Sequence, residues 1–241
     1  MRIRWIAAMT ATMVIAGVLG AGALASGPSK GGAGPGPDPA DFTSPKPNAY
    51  FPLEPGTVLT YRGSEGRDRL SERVTITDQT KMIQGITTIV VSDVVYANGV
   101  LDEKTEDWYA NDNDGNVWYF GEATATYDEH GNVVSTEGSW EAGVHGAVAG
   151  KIMPADPEAT DAYRQEFSQG HAEDQAWIVQ RGATIDVPYG SLDRVLRTFE
   201  WTRLEPGVVS EKFYAPGLGI VREHDVAGGS EQLELVDVRN G

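Results

Sequence analysis

The chain contains no cysteine. Disulfides are therefore excluded, and so is a lipid anchor, which needs a cysteine thiol for attachment. Basic residues are scarce: 19 Lys and Arg stand against 35 Asp and Glu, for a net charge of −16. That balance argues against nucleic acid and anionic membrane surfaces as partners, and leaves cationic partners and divalent cations open. Histidines number 4 (His130, His145, His171 and His224), and no two of them share a metal-ligand spacing. A Gly-x-Ser-x-Gly nucleophile elbow and a glycine-rich phosphate loop ahead of a helix are also missing. Carboxylates are abundant enough for an acid–base pair of the glycosidase kind, but abundance without geometry singles out none of them.

Charge is absent in one further place. Arg2 and Arg4 are followed by an uncharged, apolar run from Trp5 to Leu24, closing on Ala23-Leu24-Ala25. A positive start, an apolar stretch and a small-x-small end predict a secretory signal peptide over residues 1–25, with Ser26 as the new N-terminus. An uncleaved anchor is the rival reading, since the run is long enough to span a bilayer. The cleavage pattern favours removal, and so no stable membrane insertion afterwards. Loss of two arginines and no acid takes the net charge from −16 to −18. The expected location is secreted or periplasmic.

Residues 26–49 are mostly Gly, Pro, Ser and Ala, the composition of a disordered linker. Residues 50–241 then read as a single β-rich domain. Arg73 to Thr77 alternates, and Ile86 to Tyr96 is a β-branched run that ends on Asn98-Gly99, a tight-turn dipeptide. Residues 111–116 and 128–132 are Asn-, Asp- and Gly-rich turns between strand-like segments. Asp156 to Phe167 holds a helix-start signal, Asp then Pro. Two short echoes occur, Leu53-Glu-Pro-Gly with Leu204-Glu-Pro-Gly and Gly115-Asn-Val with Gly131-Asn-Val, without a fixed period. The predicted class is mainly β: an antiparallel curved sheet or open half-barrel, with at most one or two short helices.

Three segments carry a resemblance. Tyr50-Phe-Pro-Leu-Glu-Pro-Gly opens the domain; Asp107-Trp-Tyr-Ala and Asp114-Gly-Asn-Val-Trp-Tyr-Phe-Gly-Glu122 form its middle; Val187-Pro-Tyr-Gly190 and Tyr214-Ala-Pro-Gly-Leu-Gly-Ile-Val221 lie near its end. Together they resemble uncharacterised bacterial exported and lipoprotein-like β-rich domains. The resemblance implies a long curved sheet closing partly into a barrel, as in periplasmic lipid-carrier half-barrels. It implies no catalytic residue. In their own right these segments read as turns and core anchors.

Two constellations point to binding. Trp108, Trp118, Phe120 and Trp140 cluster in sequence, and Trp118 and Phe120 share a strand face, with Tyr119 on the other. One such face could line a barrel concavity and hold a small apolar or sugar ligand; the plainer reading is an aromatic core. Asp112, Asp114 and Asn116 alternate on a loop, as oxygen ligands of Ca²⁺ do, but the glycine and glutamate positions of an EF-hand loop do not follow. The plainer reading there is a hairpin turn. Three functions stay open: an exported non-catalytic ligand-binding β-domain, which we favour; an extracellular hydrolase working with carboxylates; and a structural, Ca²⁺-stabilised surface module. Any partner protein is not legible.

Overall fold

The computed structural model describes residues 36–241; the predicted signal peptide lies outside the described residues. Fifteen strands follow in order. They are β1 (Val58–Glu65), β2 (Asp68–Ile83), β3 (Ile86–Ala97), β4 (Val100–Asn111), β5 (Val117–Tyr127), β6 (Val133–Ser135), β7 (Trp140–Glu141) and β8 (Val148–Met153), then β9 (Ala162–Arg164), β10 (Glu166–Phe167), β11 (Asp174–Val187), β12 (Gly190–Thr202), β13 (Val209–Ala215), β14 (Gly219–Ala227) and β15 (Glu231–Arg239). Every pairing is antiparallel, as the hairpin spacing predicts.

The strand order runs β10-β8-β5-β4-β3-β2-β1-β15-β14-β13-β12-β11-β9, with β6 and β7 attached to β5. The two ends of that order, β9 and β10, are separated in sequence by Gln165 alone. The sheet therefore curls until one short stretch of chain pairs with both of its ends, through β11 and β8. The mainly antiparallel curved sheet expected from sequence is thus carried almost to a closed barrel. Closure needs tight backbone approach: a Cβ on Gly150 would stand 2.4 Å from the Gln165 carbonyl. Bending inside the sheet uses the same device. β4 and β5 slip register between Asp107 and Tyr109, and Gly121 on β5, at φ +127°, would put a Cβ 2.2 Å from the Trp140 carbonyl oxygen.

Turn chemistry matches the sequence. Asn98-Gly99 takes positive φ at both positions (53° and 85°), the geometry of a two-residue hairpin loop, and Gln84-Gly85 does the same at 50° and 82°. Asp156–Phe167 contains no helix; that stretch is turns followed by β9 and β10, because its backbone is used for closure. The helical element among the described residues is a single 3-10 turn at Pro39–Phe42, capped by Asp38.

That turn lies within the stretch read as a linker. Phe42 stands edge-on to Trp118 and Phe120, at 6.4 and 5.8 Å between ring centroids. Buried Asn48 donates from its amide to the carbonyls of Gly115 (2.8 Å) and Pro154 (2.9 Å) and accepts from the amides of Tyr50 and Phe51. From Pro39 the chain is therefore packed on the outside of β5, and Gly and Pro content conceals a docked strap.

Candidate functional site

Strand alternation sends every second side chain into the barrel. On β4 the inward set is Glu103, Thr105, Asp107 and Tyr109, and on β12 it is Leu196, Thr198, Glu200 and Thr202; all are buried. Thr198 pairs across strands with Lys212, and Lys212 with Glu223. The interior is therefore polar and acidic, while outward positions on β12 such as Phe199 and Trp201 are half-buried aromatics. Such an inversion is unusual, since buried carboxyls need partners or neutralisation.

Lys212 is the centre of this interior. Its Nζ lies 3.3 Å from Glu200 Oε2 and 3.4 Å from Glu223 Oε1. Burial disfavours the ammonium, but the surrounding carboxylates outweigh it and hold the lysine charged well above its usual range. Tyr214 and Thr198 each donate a 2.8 Å hydrogen bond to Glu200 Oε1. Tyr119 donates to Asp107 Oδ1 at 2.7 Å, and Thr105 to Thr124 at 2.8 Å.

One lysine cannot balance the remaining acids. Burial and mutual repulsion push Glu72, Asp93, Glu122, Glu166 and Asp174 well above the ordinary carboxylate range. Asp107 is raised to about 7 by burial, against hydrogen bonds from Tyr119 and Tyr109 that lower it. These groups are carboxylic acids, rather than carboxylates, over much of the ordinary pH range. Several of their oxygens have no hydrogen-bond partner of good geometry: both of Asp93, both of Glu166, and one each of Glu122 and Asp174.

A cavity of about 80 Å³ reaches into this interior. Its rim is apolar and half-exposed, from Phe51, Leu53, Leu218 and Ile220; its floor is buried and acidic, from Glu72, Asp93, Asp107 and Glu223, with Lys212 beside them. The rim is fixed where the 49–52 segment lies on the 215–219 turn, through Gly217 N to Ala49 O at 2.7 Å. On the other side of Lys212 a space of about 10 Å³ is lined by Tyr119, Gln165, Glu166, Asp174 and Glu200, about enough for one water.

Other residues singled out from sequence lie elsewhere. Trp108, Trp118 and Phe120 occupy the sheet face opposite Asp107 and Tyr119. Phe42 covers the last two, and Lys81 Nζ sits 3.1 Å from the centre of the Trp108 ring. Trp140 is buried edge-on against Tyr119 at 5.4 Å. None of the four is among the residues lining the cavity. The aromatic residues that do line it are Phe51, Tyr61, Tyr109 and Tyr214.

In the 111–116 loop, Asp112 Oδ1 accepts from the amides of Asp114, Gly115 and Asn116. Its Oδ2 accepts from the Asn116 side chain (2.6 Å) and the Trp118 indole (2.9 Å). Asp112 is thus spent on stapling the turn, and Asn116 Oδ1 accepts from Ala155 N. Asp128 makes the same bonds to the amides of His130 and Asn132. The Gly-Asn-Val echo is one turn, Asp-x-x-Gly-Asn, used twice. His224 lies outside the chamber, 3.3 Å from Glu211 and stacked on Phe213.

The fold and this interior define a class: an antiparallel β-barrel domain with an acid-lined chamber and an apolar mouth. No protein-family model matches the chain, and no curated protein matches it. Among solved structures, a "putative lipoprotein" from Parabacteroides distasonis ATCC 8503 is similar at 11% identity with a TM-score of 0.43, over 80% of this chain and 100% of that chain. A likeness at that level says nothing of function.

Proposed function

We propose that this protein is an exported, non-catalytic binding domain that takes a small amphipathic molecule at the barrel mouth. The apolar body lies against Phe51, Leu53, Leu218 and Ile220, and the polar head reaches the carboxyl groups beneath. The observation that carries this reading is the gradient within one cavity, from a half-exposed apolar rim to a buried acidic floor where Asp93 is crowded by other carboxyls. Export rests on the pattern of residues 1–25.

Size narrows the ligand. About 80 Å³ admits a head group and the start of a chain, not a sugar ring or a long lipid. That disfavours both carbohydrate stacking inside the barrel and hydrolysis of a polymer at these carboxyls.

The test is titration calorimetry of the mature protein with hexanol, hexylamine and hexanoate at pH 7. Saturable one-to-one binding of at least one probe is expected, and Leu53→Trp, which fills the rim, should abolish it. No saturable binding by any probe, or unchanged binding in the filled variant, overturns the reading.

A further inference from the structure

Among the described residues the ammonium in the chamber is that of Lys212, and it is already committed. Lys212 spans Glu200 and Glu223 at 3.3 and 3.4 Å, and both of those carboxyls are buried with it. Asp93 stands apart from that arrangement. It is 2% exposed and lines the cavity, its oxygens have no hydrogen-bond partner of good geometry, and the side chain that interacts with it by hydrogen bonding is another carboxyl, Glu72. The groups that act on it most are all carboxyls: Asp107, Glu72, Glu103 and Glu223. A buried carboxyl in that position costs stability unless something arrives to pair with it.

We propose that the head group of the ligand is an organic ammonium, and that Asp93 is the residue that receives it. This rests on the binding reading above and names its substrate class. Three features choose an ammonium over other heads. A carboxylate or phosphate would bring a negative charge into a buried chamber whose one lysine is already paired, and would find no cation to offset its desolvation. A hydroxyl could donate only one hydrogen bond to Asp93. A primary ammonium donates three, and its charge lets one further carboxyl ionise without adding net charge to the interior. The half-exposed Phe51, Leu53, Leu218 and Ile220 then cover a short alkyl body, so the ligand is an apolar amine rather than a polyamine.

The experiment compares hexylamine with hexanol, which share a tail and differ in charge, on the mature wild-type protein and on Asp93→Asn. The wild type is expected to bind the amine more tightly than the alcohol by about tenfold or more, the scale of a charge-assisted hydrogen bond. Asp93→Asn is expected to bring that ratio close to one, because it weakens the amine far more than the alcohol. The variant keeps the side-chain shape and relieves carboxyl repulsion, so it should melt at or above the wild-type temperature. Equal affinity for amine and alcohol in the wild type overturns the ammonium proposal while the binding reading survives. An amine preference that persists in Asp93→Asn overturns the role of Asp93. Failure of every probe to bind the wild type overturns the binding reading itself. The wild-type ratio needs no variant, so the ammonium proposal stays testable even if Asp93→Asn folds poorly.

Discussion

Lys212 Nζ stands 3.3 Å from Glu200 Oε2 inside the barrel, with the two side chains 4% and 5% exposed. A buried pair of this kind adds little over an apolar isostere, but breaking it leaves a charge with no partner. Lys212→Met should therefore cost about 3–5 kcal/mol at pH 7 in urea denaturation. The loss should shrink at pH 4.5, because burial raises the pKa of Glu223 and lets it take up a proton instead. An equal loss at both pH values would show that packing, not charge, is what Lys212 supplies.

The acid chamber sets a pH dependence with a definite sign. Asp107 is raised to about 7, and Glu72, Asp93, Glu122, Glu166 and Asp174 move the same way. The folded state then holds protons that the unfolded chain releases. Stability from these groups is complete below about pH 4 and falls as pH rises from there through about 7. Asp112 and Glu173, whose pKa values are lowered, act oppositely and lose their contribution as pH falls below the ordinary carboxylate range. Denaturation midpoints should therefore peak in mild acid, near pH 4–5, and decline toward pH 8. A maximum at pH 7 or above would contradict the protonated chamber.

The two Asp-x-x-Gly-Asn turns separate burial from bonding. Asp112→Ala strips acceptors from five donors, among them the half-buried Trp118 indole, and should cost about 1–3 kcal/mol. Asp128→Ala removes similar bonds in an exposed turn, where water replaces them, and should leave the melting temperature nearly unchanged. Equal effects would mean that desolvation is not what makes Asp112 matter.

The strap should be measurable through its ring contacts. Phe42→Ala removes the edge-on cover of Trp118 and Phe120 and should destabilise by about 1–2 kcal/mol, less than a full core truncation because Phe42 is half-buried. Tryptophan emission should move to longer wavelength as Trp118 becomes wetter. Unchanged emission would place the strap's contribution elsewhere.

Sheet class and hairpins were legible because turn residues report backbone geometry directly: Asn98-Gly99 could adopt paired positive φ, and did. The chamber was not legible, and the reason lies in β4 and β12. In Glu103-Lys-Thr-Glu-Asp107 both faces are polar, so alternation cannot say which one is inside. In Arg197-Thr-Phe-Glu-Trp-Thr202 the alternation is clear, but the usual rule that aromatics point inward selects the wrong face. The same rule drew attention to Trp118 and Phe120, which cover the outside under Phe42. The usable signal was Lys212, the lone base of a strand that pairs with acid-bearing strands on both sides.

The central claim, a ligand chamber at the barrel mouth, is tested most directly by ¹H–¹⁵N NMR of the mature protein titrated with hexylamine. The account predicts saturable shifts confined to the amides around Leu53, Asp93, Asp107 and Ile220, with those around Trp118 and Trp140 unmoved. Shifts centred on the outer aromatic face, or none at saturating amine, would contradict it.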